Sequence, residues 1–419
     1  MRVMVIGGGG REHAIVKKMR ENKQITELFV LPGNGGMARE ATLVNIGATD
    51  LPAIAAFARE KGIDYAVVTP DDPLVLGAVD LLEGEGIPCF GPNKAAAILE
   101  GSKAFAKEFM KRHGIPTAAF ETFSDPAAAL AYVRTCPLPT VVKADGLALG
   151  KGVVIAQTRE EAESAVRAAM CEGKFGQSGK TLVIEEFLTG PEVSVLSFTD
   201  GKTIVPMVSS MDHKRAGDGD TGLNTGGMGT IAPNPFYTDE VARRCMEEIF
   251  LPTIRGMAAE GRPFKGCLYF GLMLTAQGPK VIEYNCRFGD PETQVVLALL
   301  QSDLFTIMRA VTEERLSEAE VSFKNEHAAC VILASKGYPL SYEKGYEIAM
   351  SEAVRAHVLF AGVKEKDGKL VTSGGRVLGV VGVGPTLQAA LELAYDRVKE
   401  VSFENEFYRR DIGKRALEA

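Results

Sequence analysis

The chain begins MRVMVIGGGGREHAI, in which a short apolar strand runs into four consecutive glycines and then into a charged helix start. Apolar strands keep alternating with helical stretches as far as Gly91-Pro92-Asn93: LFVLPG, a helix over 51–61, DYAVVTP, a helix over 74–83, and IPCFG. Strands that are apolar on both faces and separated by helices define a parallel sheet covered on both sides. The glycine loop is not a dinucleotide fingerprint. Reading G-x-G-x-x-G from Gly7 puts Glu12 at the third glycine, and reading it from Gly8 puts His13 there. The next strand ends in Pro32-Gly33-Asn34 and offers no acid for a ribose, so NAD is disfavoured. Gly8, Gly9 and Gly10 instead suit backbone N–H contact with a phosphate or another polar ligand at a helix N-terminus.

With 419 residues the chain has room for about two to four domains. A net charge of −7 provides no field for nucleic acid, and no apolar run reaches membrane-spanning length, so neither partner is expected. The basic stretch YRRDIGKR reads as a solvated helix face. Seven cysteines, none in a C-x-x-C pair, suit reduced thiols in a cytoplasm.

Beyond residue 100 the pattern becomes β-rich α+β. A helix starts at Ser102 in GSKAFAKEF, and strands follow at TVVKADG, GVVIAQ, TLVIEEF, EVSVLSF and TIVPMV. The stretch AGDGDTGLNTGGMG carries six glycines, which reads as a ligand-hugging loop or lid with no regular element. A helix over 239–260, two strands and a last unit from about 324, with a final helix over 386–401, complete the chain.

Several stretches carry chemistry. Lys103 opens a helix, and Lys143 ends a buried-looking strand ahead of a glycine-containing hairpin, where a point charge beside backbone donors suits a phosphate. The spacing is not that of a Walker loop, and either lysine alone also reads as an exposed stem. LVIEEFLTGPE offers free backbone groups and carboxylates to a nucleoside, although a surface strand end with acidic gatekeepers is the favoured reading of those residues alone. In IEYNCRFGDPET, alternation places Glu283, Asn285 and Arg287 on one strand face and Ile282, Tyr284 and Cys286 on the other. Glu283 and Asn285 are hard oxygen ligands suited to Mg²⁺, and Arg287 can neutralise a reacting phosphoryl or carboxylate group. Asp212, His213, Lys214 and Arg215 stand at the mouth of the glycine-heavy stretch, where they could engage a charged small substrate. Arg376, beside two glycines in TSGGRVL, suits an anionic phosphate and equally a surface position.

Taken together, GGGGREHA, PGNGG, EGSKAFAKEFMKRHGIPTA, VVKADGLALGKGV, VIEEFLTG, DHKRAGDGDTG, NTGGMG, EYNCRFGDPETQ, TSGGRVL and YRRDIG resemble the phosphoribosylamine–glycine ligase family (glycinamide ribonucleotide synthetases) of the ATP-grasp superfamily over nearly the whole chain. The resemblance implies an α/β and α+β multidomain protein. Residues 1–100 would form a Rossmann-like domain, 101–324 an ATP-grasp core of two α+β subdomains with a mobile part about 117–190, and 325–419 a small C-terminal α/β domain. It implies an ADP-forming carbon–nitrogen ligase that makes glycinamide ribonucleotide from glycine and 5-phosphoribosylamine by way of glycyl phosphate, with ATP as co-substrate and Mg²⁺ or Mn²⁺. Lys103 and Lys143 would meet the nucleotide phosphates under a flap over 146–152 that includes Gly146, Gly150 and Gly152. Glu185, Glu186, Phe187 and Leu188 would form the adenine hinge, Glu192 would take the ribose, and Glu283 and Asn285 the metal. Arg287, Asp212 and Lys143 would serve catalysis. Gly8, Gly9, Gly10, Asp71, Asp212, Lys214, Arg287, Gly289 and Arg376 would hold the other substrates. The chain departs from the family at Thr69-Pro70-Asp71 (usually Gly-Pro-Glu), Leu223 (usually proline) and Lys414 (usually histidine), and it lacks a second acid in YFGLMLT. A bicarbonate-using carboxylase and a non-catalytic nucleotide sensor are the competing readings. Oligomeric state stays open, a monomer being one choice.

Overall fold

The computed structural model describes residues 1–147 and 152–419. Five parallel strands form the first sheet, in the spatial order Thr42–Leu43, Glu27–Pro32, Arg2–Gly7, Tyr65–Val68, Cys89–Phe90. Both faces of this sheet are covered. Val3 and Val5 enter one core while Met4 and Ile6 enter another, which accounts for the unbroken apolar run in the sequence. The expected helix over 74–83 is two helices, Asp71–Leu76 and Ala78–Gly84, because Gly77 between them takes φ 97° and ends the first.

Two antiparallel sheets follow. One has the order Phe120–Phe123, Leu182–Glu186, Thr140–Ala144, Val153–Ala156, and with the helices Pro126–Val133 and Arg159–Met170 it keeps a core of its own. The other has the order Ile204–Pro206, Glu192–Asp200, Lys265–Thr275, Gly278–Asn285 and packs on the long helical stretch from Asp239 to Ala259.

The last sheet draws on two parts of the chain. Met211–Asp212 pairs with Gly229–Ala232, which pairs with His327–Ser335; that strand pairs with Arg376–Gly384, on whose other edge lies Val358–Phe360. The helix Leu387–Val398 covers one face. A single core joins residues of the first sheet, the sheet containing Glu192–Asp200, the helices Glu292–Leu299 and Leu304–Thr312, and this last sheet.

The glycine-heavy stretch is not wholly irregular. Arg215–Gly217 and Thr221–Asn224 pair as a small hairpin, and Gly229 begins a strand. YRRDIGKR likewise is not a solvated helix face. Arg409 is 2% exposed and makes ion pairs with Asp411 and Asp220, and the stretch is irregular until the short helix Lys414–Leu417 begins. Among the described residues, no helix is long and apolar enough to cross a membrane.

Candidate active site

A cleft of about 580 Å³ opens between the two antiparallel sheets. Lys143 reaches across it from a wholly buried strand, and its Nζ donates to the Ile282 carbonyl of the facing sheet at 3.3 Å. Lys103 starts its helix because Ser102 Oγ accepts from the Phe105 N–H at 3.0 Å, while Asp145 accepts from Ala104 N–H at 3.1 Å. The Lys103 ammonium then donates to the Gly146 carbonyl at 2.5 Å. Gly152 also lines the cleft, whereas the expected flap residue Gly150 falls within 148–151, outside the described residues.

Glu283 and Asn285 both line the cleft, but simple alternation does not describe their strand. Gly271 pairs with Glu283 and Leu272 with Val281, so Ile282 bulges and joins Glu283 at the cleft wall instead of facing away. Burial by itself would raise the Glu283 carboxyl, but Lys214, Lys143, Lys103 and Arg287 outweigh it and hold the group below the usual carboxylate range. Each of these cations has its direct partner elsewhere: Glu192, Glu185, the Gly146 carbonyl and Glu100. Glu283 is therefore kept ionised without being tied to any of them. Beside the Asn285 amide oxygen, such a carboxylate suits a hard divalent ion shared with phosphates. The register sets Gly271 opposite Glu283 and Tyr269 opposite Asn285, so the preceding strand adds no carboxylate.

Glu185, Glu186, Phe187, Leu188 and Glu192 line the cleft at the end of the strand Leu182–Glu186 and just beyond it. The Glu192 carboxylate accepts from Lys214 Nζ at 3.0 Å. The Glu185 side chain has another part in the structure. It is 5% exposed and lies between the ammonium groups of Lys107 and Lys143. Lys107 is the residue that sequence reasoning missed. It lies one helical turn after Lys103 on the same helix, a spacing that could have flagged it. Asp212 lines the cleft with one carboxylate oxygen buried and unpartnered, and burial together with the Glu292 charge raises its carboxyl well above the usual range.

At the other end of the cleft, Arg287 Nη2 meets Glu100 at 2.9 Å and donates to Asn285 Oδ1 at 3.1 Å. Burial pushes Glu100 up to about 7 against the pull of Arg287. Asp71 lines this end as well. Gly8, Gly9, Gly10, Gly289 and Arg376 do not themselves line the cleft, although Gly9 and Arg376 adjoin Asp290, which does. A side chain at Gly8 would strike the Gly33 carbonyl at 2.5 Å, and one at Gly10 would strike Gln294 at 2.8 Å. The Gly9 N–H is already donated to Glu12 at 2.5 Å. Thr69 Oγ1 lies 2.7 Å from the same Glu12 carboxylate and can donate its hydroxyl to it.

The hairpin of the glycine-heavy stretch is clasped by the C-terminal segment. Arg409 donates to Asp220 at 2.7 Å, the Arg410 N–H to Asp218 at 2.8 Å, and the Gly219 N–H to Asp411 at 2.8 Å. His213, at the foot of the hairpin, is 7% exposed and accepts from the Gly413 N–H at 3.0 Å through Nε2. Burial, reinforced by the Arg409 charge, lowers it to about 4, so it is a neutral structural residue.

Two antiparallel sheets that close on a cleft rich in lysine, with an ionised carboxylate and an amide oxygen on its wall, define an ATP-grasp ligase. The chain belongs to the phosphoribosylglycinamide synthetase family. It matches the N domain of that family over residues 1–100, the ATP-grasp (A) domain over 101–293 and the C domain over 328–415. It is 48% identical to the phosphoribosylamine–glycine ligases of Vibrio vulnificus and Salmonella typhimurium, in each case covering 100% of this chain and 99% of the relative. The crystal structure of phosphoribosylamine–glycine ligase from Thermotoga maritima is similar with TM-score 0.88 and 37% identity, covering 98% of this chain and 100% of that one. Biotin carboxylase from Campylobacter jejuni, at TM-score 0.74 and 15% identity over 97% of this chain and 92% of that one, shares the fold alone.

Proposed function

We propose that this enzyme joins glycine to 5-phosphoribosylamine, giving glycinamide ribonucleotide, ADP and phosphate. A glycine carboxylate oxygen attacks the γ-phosphorus of ATP, the bond to ADP breaks, and glycyl phosphate forms. The amine of phosphoribosylamine then attacks the acyl carbon, loses a proton and displaces phosphate. The observation that carries this reading is the ring of Lys103, Lys143, Lys214 and Arg287 around the ionised Glu283. It offers positive charge to a triphosphate and a hard oxygen to the ion that accompanies it.

Lys103 and Lys143 hold the phosphates, Arg287 draws charge off the reacting groups, and Asp212 and Lys214 orient the small substrates. Glu185, Glu186, Phe187 and Leu188 form the strand end that receives the purine, and Glu192 takes the ribose. Glu283 and Asn285 would hold Mg²⁺ or Mn²⁺, which when bound supplies charge neutralisation at the phosphates. Gly8–Gly10, Asp71, Gly289 and Arg376 serve the phosphoribosylamine end. Residues 1–100, 101–324 and 325–419 are taken as the working parts, with about 117–190 as the part that moves. The separate core of the sheet containing Lys143 supports that last choice. Unpaired cysteines throughout the described chain support a cytoplasmic setting.

The test is phosphate release with ATP, glycine and freshly generated phosphoribosylamine, omitting each in turn. Release that requires all three supports the reading. Release of pyrophosphate, or turnover without glycine, overturns it.

A further inference from the structure

The carboxylate of Glu185 is shared by two lysines, with Lys107 on one oxygen and Lys143 on the other. The three side chains are 3%, 6% and 4% exposed in the order Lys107, Lys143, Glu185. One buried anion thus faces two buried cations, an excess of positive charge in a poorly solvated wall. The two lysines are anchored differently. Lys107 Nζ also donates to the Thr117 hydroxyl at 2.7 Å, and that hydroxyl donates to the Val281 carbonyl at 2.7 Å, so Lys107 is fixed to both sheets. Among the described residues, the further partner of Lys143 is the Ile282 carbonyl, a longer contact at 3.3 Å, and both lysines line the cleft. Of the two, Lys143 is the partner that can leave.

We propose that Lys107 is a positioning residue for nucleotide binding: it stays on Glu185 as counter-charge, which allows Lys143 to turn to the nucleotide phosphates without leaving a buried carboxylate unpaired. The proposal rests on Lys143 being a phosphate ligand. Breaking a buried pair by withdrawing one member is strongly unfavourable, whereas withdrawing one cation from a pair-and-a-half leaves a complete pair. Without Lys107, Glu185 and Lys143 become a self-sufficient pair, and the nucleotide has to compete with Glu185 for the ammonium. Burial, offset by Glu185, lowers Lys107 only to about 8, so it carries its charge at neutral pH.

The test is calorimetric binding of a non-hydrolysable ATP analogue with Mg²⁺ to the full chain. Lys107→Met should weaken the analogue by at least about tenfold, because the pair it leaves behind is buried. Its KM for glycine and its thermal midpoint should stay near wild type, which a merely structural role would not allow. Lys107→Met combined with Glu185→Gln removes both charges and should recover most of the lost affinity. Should Lys107→Met not fold, Lys107→Gln, which keeps a donor for Thr117, carries the same expectation. Unchanged affinity in the single variant, or a double variant as weak as the single, overturns the proposal. Lys143→Met separates the two ideas. If it too leaves affinity intact, Lys143 does not hold phosphate and both fall. If it weakens binding while Lys107→Met does not, only the role of Lys107 falls.

Discussion

Asp290 Oδ1 stands 3.5 Å from Arg376 Nη1, and Asp290 Oδ2 accepts from the Arg11 N–H at 3.4 Å. One carboxylate therefore joins the C-terminal strand to the N-terminal glycine loop. Burial would raise it, but Arg376 and Arg11 hold it below the usual carboxylate range. Arg376 also donates to the carbonyls of Gly226 and Asp290 at 2.7 and 2.8 Å. The guanidinium is fixed where the N-terminal and C-terminal parts meet.

If the substrate 5′-phosphate bridges these two parts, Arg376→Ala loses a charge-assisted bond of about 1.5–3 kcal/mol, roughly one to two decades in affinity. Steady-state kinetics should show KM for phosphoribosylamine rising by that factor while KM for ATP and glycine stay nearly constant. An equal loss for ATP would move the phosphate site elsewhere.

Glu283→Gln keeps the shape of the side chain and removes its charge. Turnover should fall by about two to three orders of magnitude, the scale for deleting one preorganised group at a reaction centre. The concentration of Mg²⁺ needed for half-maximal rate should rise as well. Wild-type kcat at saturating Mg²⁺ would rule Glu283 out as a metal ligand.

Thr69 is buried, and its hydroxyl holds Glu12, which in turn closes the glycine loop. Thr69→Val should lower unfolding free energy by about 1–3 kcal/mol, the cost of leaving a buried acceptor short of a partner. Urea denaturation of the two proteins measures this directly. A midpoint identical to wild type would mean that Glu12 needs no such support.

His213 titrates at about 4 in the fold. Its folded value lies below the unfolded one, so the neutral form is favoured by folding. Its contribution to stability is complete above about 6.5 and is lost as pH falls from there towards 4, by about 2.5 kcal/mol at pH 4.5. His213→Gln should remove that part of the acid sensitivity, read as a smaller drop in unfolding free energy between pH 7.5 and 4.5. A variant that loses as much stability as wild type over that range would show that His213 carries none of it.

Local pattern made four of the five strands of the first sheet readable, because they are apolar and glycine or proline closes each one, whereas the two-residue edge strand Thr42–Leu43 carries no such signal. It also set Lys103, Lys143, Glu283, Asn285 and Arg287 apart, and all five line one cleft. What escaped depends on distant partners. Apolar spacing runs on through Gly77, and only its backbone angle divides the two helices. The hairpin at Arg215–Asn224 is held by Arg409, Arg410 and Asp411 from the far end of the chain, so its glycines alone suggested no regular structure. Lys107 reads as an ordinary helix lysine until Glu185 is seen beside it. The bulge at Ile282 is a matter of pairing register, which alternation along one strand does not reveal.

The strand pairing of Gly229–Ala232 with His327–Ser335 bears on how the molecule is made. Asp212 and Lys214 belong to a segment that leaves the ribosome well before the strand its sheet is built on, and the Arg409 clasp follows later still. The wall of the cleft that carries these residues can therefore assume its final form only once His327–Ser335 and Arg409 have been made. A nascent or prematurely terminated chain could fold its first sheet, yet it would present an open-sided cleft with an unpaired strand edge.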